Sequence, residues 1–63
     1  MPMKVREVIR LLQKQGWIIE RRRGSHRQMK HSANPNVLTI AGRDGQELRP
    51  GTLNDILKKA GLK

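Results

Sequence analysis

Apolar residues recur at helical spacing near the start of the chain. Between residues 4 and 15 they occupy the i, i+3, i+4 and i+7 positions of a single helical face: Val5, Val8, Ile9 and Leu12. Gly16 follows, and glycine commonly ends a helix because it adopts the left-handed backbone conformation without steric cost. The pattern predicts an amphipathic helix over residues 4–15.

The next segment, residues 17–31, has no helical periodicity. A β-favouring Trp-Ile-Ile run opens it, and Gly24 and Ser25 interrupt it before a second extended run. A two-residue loop that begins with glycine suits a type II′ turn, because this turn needs a positive φ at its first central position. The segment predicts a β-hairpin with strands at residues 17–23 and 26–31.

A third strand and a second helix complete the pattern. The turn-rich "SANPN" at residues 32–36 precedes "VLTI" at residues 37–40, where three of the four residues are β-branched. After a glycine-containing connection, Thr52 and Asp55 resemble a capping box at the start of a helix that Gly61 ends. The apolar stripe of this helix consists of Leu53, Ile56, Leu57 and Ala60.

The predicted order, helix, three strands, helix, belongs to the α+β class. Each helix has one apolar stripe, and both stripes need an apolar surface to cover. We therefore expect a three-stranded antiparallel sheet with the two helices on one face and the other face open to solvent. A chain of 63 residues forms a single domain, residues 1–63, and its core is small.

Composition narrows the choice of partner. Lysine and arginine number 14 against 5 acidic residues, a formal net charge of +9, which indicates a polyanionic partner, nucleic acid first and an acidic protein or anionic membrane second. Cysteine is absent and histidine occurs twice, so we expect no metal site and no cofactor. No apolar run indicates secretion or membrane insertion, and the expected location is the cytoplasm.

The hairpin register assigns the basic residues to the two faces of the sheet. A two-residue loop predicts four cross-strand pairs: Arg23 with His26, Arg22 with Arg27, Arg21 with Gln28 and Glu20 with Met29. Alternation gives the open face an entirely polar set: Arg21, Arg23, His26, Gln28 and Lys30. The core face receives Ile18, Arg22, Arg27 and Met29, together with Glu20, whose carboxylate fits poorly in a core.

His26 lies beside Arg23 on this predicted open face. An imidazole can transfer a proton, and neighbouring arginines can hold a phosphate and stabilise the charge of a phosphorane-like transition state. This arrangement fits cleavage of RNA through its internal 2′-hydroxyl. From spacing alone, however, a lone exposed histidine on a basic surface is more often a simple binding contact than a catalytic group, because a general base is defined by its geometry.

The same residues resemble a known family. "LLQKQGWIIERRRGSHRQMKH" and "LRPGTLNDILKKAGL" are similar to the HicA-type, or YcfA-like, toxins of bacterial and archaeal toxin-antitoxin modules, and the resemblance covers nearly the whole chain. It implies a double-stranded-RNA-binding-domain-like αβββα fold and an mRNA interferase of a type II system, which cleaves mRNA without a metal ion and is neutralised by a HicB-type antitoxin. The family's catalytic histidine falls on His26. Glu20 and Ser32 depart from the family pattern, which usually has an apolar residue and a proline there.

From residues and resemblance together, we predict His26 as the catalytic group of an mRNA-cleaving endoribonuclease. The predicted RNA contacts are Arg21, Arg23, Ser25, Arg27 and Lys30. Two alternatives remain compatible with the sequence: a non-catalytic RNA-binding module of the same fold, and an interaction protein for an acidic partner.

Two further residues, His31 and Trp17, are predicted to have structural roles. His31 is separated from His26 by five residues, which in a regular strand places it on the opposite face, so an acid and base pair is not expected. We expect His31 to anchor the local structure. Trp17, which follows the helix-ending glycine, is expected to pack rather than to stack on a base.

Overall fold

A computed structural model describes residues 3–62 and confirms the predicted order of elements. Helix α1 spans Val5–Lys14, strands β1, β2 and β3 span Ile18–Arg23, His26–His31 and Asn34–Ala41, and helix α2 spans Pro50–Lys59. The strands form one antiparallel sheet in the order β1-β2-β3, an α+β arrangement with an open sheet. Within the described part of the chain, neither helix is long and apolar enough to cross a membrane.

The core lies between the helices and one face of the sheet. Its buried apolar side chains come from every part of the fold: Val5, Val8, Ile9, Leu12, Trp17, Met29, Leu38, Ile40, Leu48 and Ile56. All four positions of the predicted α1 stripe are among them. Trp17 is only 2% exposed, which confirms that it packs in the core.

Helix α1 ends at the predicted glycine through a Schellman motif. Gly16 has a φ of 96°, its N–H donates to the Gln13 carbonyl at 3.1 Å, and the Trp17 N–H donates to the Leu12 carbonyl at 3.0 Å. These two bonds satisfy carbonyls that the helix end would leave unpaired, and they turn the chain so that Trp17 enters the core. The end of α2 repeats the motif around Gly61.

Helix α2 begins three residues earlier than predicted. Pro50 occupies the first helical position, and Arg49 is the N-cap residue. Proline is favoured there because it has no N–H to leave unpaired and its ring fixes a helical φ. The predicted capping box of Thr52 and Asp55 is therefore wrong, since both residues lie inside the helix.

Strand β3 begins three residues earlier than predicted, at Asn34, so that most of "SANPN" is extended. Pro35 fits within it because β3 lies at an edge of the sheet, where a missing N–H is tolerated. The side-chain amides of Asn34 and Asn36 donate to the Lys59 carbonyl at 3.0 and 3.1 Å. The end of α2 thereby holds this stretch in place.

Strand β1 contains a β-bulge, which corrects part of the predicted register. The pairs made by Arg21, Arg22 and Arg23 are confirmed, but Ile19 rather than Glu20 pairs with Met29. Glu20 is the extra residue of the bulge. Ile18 and Ile19, which precede it, therefore lie on the opposite faces from those predicted.

The shift changes where the two residues predicted for the core face lie. Ile18 now pairs with Lys30 and is 64% exposed, so its predicted core position is wrong. The Glu20 carboxylate contacts the Lys30 ammonium group at 3.1 Å and stays exposed, so it avoids the cost of burial.

Candidate nucleic-acid interface

The hairpin turn fixes the start of strand β2. Gly24 has a φ of 59° and the φ of Ser25 is negative, the signs that a type II′ turn requires. The Ser25 carbonyl accepts a hydrogen bond from the Gly42 N–H at 3.2 Å, which ties the turn to the segment after β3. His26, the next residue, therefore occupies a defined position at the mouth of the hairpin.

His26 lies in the middle of a row of residues that runs across the sheet. Its Cα partners are Arg23 on β1 and Ala41 on β3, and all three residues are exposed. Because Ala41 is small, one flank of the imidazole is not covered by a long side chain. The ring is open to solvent on the side away from Arg23.

The next row on the same face is also polar. Gln28 is half-buried between Arg21 on β1 and Thr39 on β3. The open face near the turn thus carries two exposed guanidinium groups, one imidazole and one amide. Guanidinium groups bind phosphates in bidentate geometry, and an imidazole can accept or donate a proton, so this surface is suited to a polyanionic ligand.

Two residues of this surface, Thr39 and Ala41, were not among the predicted site residues. Their position was available from the alternation of "VLTIA", because Leu38 and Ile40 are fully apolar and their neighbours must face the other side. Leu38 and Ile40 are indeed buried, at 1% and 0% exposure.

Lys30 lies on the open face at the end away from the turn. Its ammonium group forms an ion pair with Glu20, and both side chains are about half exposed, at 54% and 45%. An exposed pair of this kind contributes about 0–1 kcal/mol, so it can open when a stronger anion arrives. Lys30 is therefore accessible but partly neutralised.

Arg27 lies on the opposite face of the sheet from Arg21, Arg23 and Lys30. Its side chain is 7% exposed, and its Nη2 donates to the Oδ1 of Asp44 in the connection between β3 and α2. Its Nη1 is buried without a hydrogen-bond partner among residues 3–62. The Arg27 guanidinium therefore lies on the helix side of the sheet and is not part of the open face.

His31 is held by the fold at the other end of β2. The Ala33 N–H donates to its Nδ1 at 2.9 Å, so this nitrogen carries no proton, and its Nε2–H donates to the Gln15 carbonyl at 2.8 Å. The imidazole meets the Trp17 ring edge-on, with centroids 5.4 Å apart. Both nitrogens are occupied, which confirms the anchoring role predicted for His31.

Comparison with known protein families gives one match over nearly the whole chain. A family model described as the HicA toxin of bacterial toxin-antitoxin systems matches residues 5–62, nearly the whole chain, whereas no curated protein matches. The match confirms the resemblance drawn from the hairpin and the second helix. A toxin of such a system is paired with an antitoxin, so the family implies a protein partner. The chain belongs to the HicA toxin family.

Proposed function

We propose that this protein is an mRNA-cleaving endoribonuclease, the toxin of a type II toxin-antitoxin system, and that His26 is its catalytic residue. The observation that supports this best is the position of His26, which is exposed on the open face and paired with Arg23 beside the Gly24–Ser25 turn. The proposal needs no metal ion, because the imidazole and the guanidinium groups supply proton transfer and charge stabilisation.

The proposed reaction is an internal transesterification. His26 accepts the proton of a ribose 2′-hydroxyl while the 2′-oxygen bonds to the adjacent phosphorus. The bond from phosphorus to the 5′-oxygen then breaks, and the leaving oxygen takes a proton from water, which leaves a 2′,3′-cyclic phosphate and a 5′-hydroxyl end. Arg21 and Arg23 stabilise the extra negative charge on the phosphoryl oxygens. In the reverse assignment, His26 donates the proton to the leaving oxygen.

The RNA contacts of this proposal lie along the open face. Arg21 and Arg23 hold the reacting phosphate and a neighbouring one, and Ser25 at the turn offers a hydroxyl to the backbone. Lys30 contacts the strand farther along, after leaving its pair with Glu20. Arg27 makes no contact on this face, because its guanidinium pairs with Asp44 on the other side of the sheet.

We further propose that the antitoxin is of the HicB type and covers this face. The basic open face is permanently positive, and a partner that offers carboxylates to Arg21 and Arg23 masks the phosphate contacts and blocks His26 at the same time. The purified complex is then expected to bind RNA far more weakly than the free toxin.

The decisive experiment incubates the protein with a single-stranded RNA in excess chelator. We expect cleavage to persist, and the products to carry 2′,3′-cyclic phosphate and 5′-hydroxyl ends by mass spectrometry. A matched substrate with 2′-O-methyl groups at every position has no internal nucleophile, so it should bind but remain intact. Cleavage of that substrate, or cleavage that the chelator abolishes, contradicts the mechanism.

One observation favours a second candidate, a non-catalytic RNA-binding module. The imidazole of His31 is engaged at both nitrogens, so it does not serve as a second acid or base. A surface with one imidazole among arginines can bind phosphates without cutting them. In the same experiment, this candidate predicts RNA that is bound but stays intact at every incubation time.

A further inference from the structure

A second basic surface lies on the helix side of strand β1. A cavity of about 240 Å³ opens between α1 and β1, and we call it the α1–β1 notch. Its charged lining consists of Arg6 and Arg10 from α1, Arg22 from β1, Arg27 from β2 and Asp44 from the following connection. Four guanidinium groups thus meet one carboxylate, and the notch is strongly positive.

The positions of the arginines from α1 and β1 follow from the local structure. Arg6 and Arg10 are four residues apart on α1 and therefore lie on the same side of the helix. Arg22 lies between Arg21 and Arg23 on β1, so strand alternation places it on the face opposite to theirs. Arg6, Arg10 and Arg22 are all exposed, and a ligand can reach them from solvent.

The wall of the notch has unused hydrogen-bonding capacity. Arg27 is buried there, and its Nη1 has no hydrogen-bond partner within residues 3–62. Asp44 neutralises only one of the four cations and is itself 61% exposed. A buried cation that is incompletely paired raises the positive potential of the notch, which favours an anion over water.

Strand β1 connects the notch to the open face. It is an edge strand, and its three consecutive arginines are exposed on alternate sides of that edge. We infer that the α1–β1 notch is a second phosphate-binding site, which holds the RNA strand after it crosses the edge of β1 from the open face. This inference rests on the proposed function, because it assigns the same RNA to both surfaces.

The experiment measures binding of the full chain to a single-stranded, fully 2′-O-methylated oligoribonucleotide by fluorescence anisotropy over a range of salt concentrations. The notch variant is Arg6→Gln/Arg10→Gln. Its matched control, Lys58→Gln/Lys59→Gln, removes the same charge from exposed residues at the end of α2, outside the notch. A third variant, Arg21→Gln/Arg23→Gln, tests the open face. Circular dichroism checks that each variant is folded.

The slope measured is that of the logarithm of the binding constant against the logarithm of the salt concentration. We expect the notch variant to lower its magnitude by about 0.7 for each phosphate of the single strand that the variant no longer neutralises. The control should leave the slope within error of the parent value. The variant Arg22→Gln should produce a smaller decrease in the same direction. A notch variant that binds RNA with the slope of the control overturns the inference.

The open-face variant separates this inference from the proposed function. If it loses RNA affinity while the notch variant matches the control, the proposed function stands and the notch inference is wrong. If only the notch variant loses affinity, the notch binds RNA and the open-face proposal fails. If the notch variant binds RNA normally but loses affinity for polyglutamate, the notch serves an acidic protein segment, and its assignment to RNA is wrong.

Discussion

The two ends of strand β2 present their histidines in opposite ways. At the first position, His26 follows a tight turn and its imidazole is exposed between Arg23 and the small Ala41. At the last position, His31 has both ring nitrogens hydrogen-bonded to backbone groups and packs against Trp17. The same residue type thus faces solvent at one end and supports the fold at the other.

The difference shows what distinguishes a histidine that is available to a ligand from a structural one. A ring whose donor and acceptor are both occupied cannot exchange a proton with a ligand without first breaking the fold around it. A ring with open nitrogens can. The comparison therefore predicts that substitutions at the two ends affect different measurable properties, activity at His26 and stability at His31.

The largest effect is expected for His26→Ala. If this imidazole transfers the proton, cleavage should fall by about 10² to 10⁴, whereas binding of 2′-O-methyl RNA should stay close to that of the parent because the arginines remain. Cleavage rate, anisotropy and circular dichroism are compared for the variant and for His26→Gln, which keeps polarity without proton transfer at neutral pH. Parent-like cleavage by His26→Ala would show that the residue is not catalytic.

The next effect concerns Gly16, which lies against the other histidine. A Cβ at this position would lie 2.7 Å from the Nε2 of His31, and the φ of 96° is unfavourable for any other residue. Gly16→Ala should therefore lower the free energy of unfolding by roughly 2–3 kcal/mol, as measured by urea denaturation.

Gly51→Ala is the matched control for Gly16→Ala. An added Cβ meets nothing within 4 Å there, and the residue lies within α2, where alanine is the better helix former. This variant should be neutral or more stable by up to about 1 kcal/mol. Equal destabilisation by both variants would rule out the contact with His31 as the cause.

His31→Ala should destabilise the fold by about 2 kcal/mol. The substitution removes two hydrogen bonds of about 1 kcal/mol each and one edge-on aromatic contact, with partial compensation by water. The cleavage rate per folded molecule should not change at a temperature where the variant is fully folded. A variant that is as stable as the parent but inactive would reverse the roles assigned to the two histidines.

The smallest effects are expected at two ion pairs described above, one with a buried arginine and one between exposed side chains. Asp44→Ala leaves Arg27 buried without its partner and should cost about 1–2 kcal/mol in chemical denaturation. Glu20→Gln breaks an exposed pair and should change stability by less than about 0.5 kcal/mol. If Asp44→Ala and Glu20→Gln changed stability equally, burial of Arg27 would not explain the strength of its ion pair.

Much of the site could be predicted because the turn defines it. Gly24 and Ser25 form the loop, and counting outward from them gives the correct partners of Arg21, Arg22 and Arg23. Local chemistry decides this part of the register, since only a turn with glycine first has the required backbone angles. Sequence periodicity likewise predicts the buried face of α1 correctly.

The sequence-based predictions are wrong where contacts between distant parts of the chain determine the local structure. The sequence shows that Glu20 fits poorly on the predicted core face, but it does not show that a bulge places Ile19 opposite Met29 instead. The extended conformation of Asn34 and Asn36 depends on hydrogen bonds to the end of α2, 25 and 23 residues away in sequence. The burial of Arg27 depends on Asp44 in a distant connection, so the hairpin sequence by itself cannot show that this charge is paired on the helix side of the sheet.

The bulge at Glu20 divides β1 into two segments whose side-chain orientations are set independently. The arginines take their orientation from the turn, and Ile18 and Ile19 take theirs from the end of α1. A one-residue change in length at this point is absorbed by the bulge and does not rotate the arginines to the other face. The hairpin is therefore expected to tolerate a one-residue insertion or deletion on its helix side without a change in the arrangement of charge around His26.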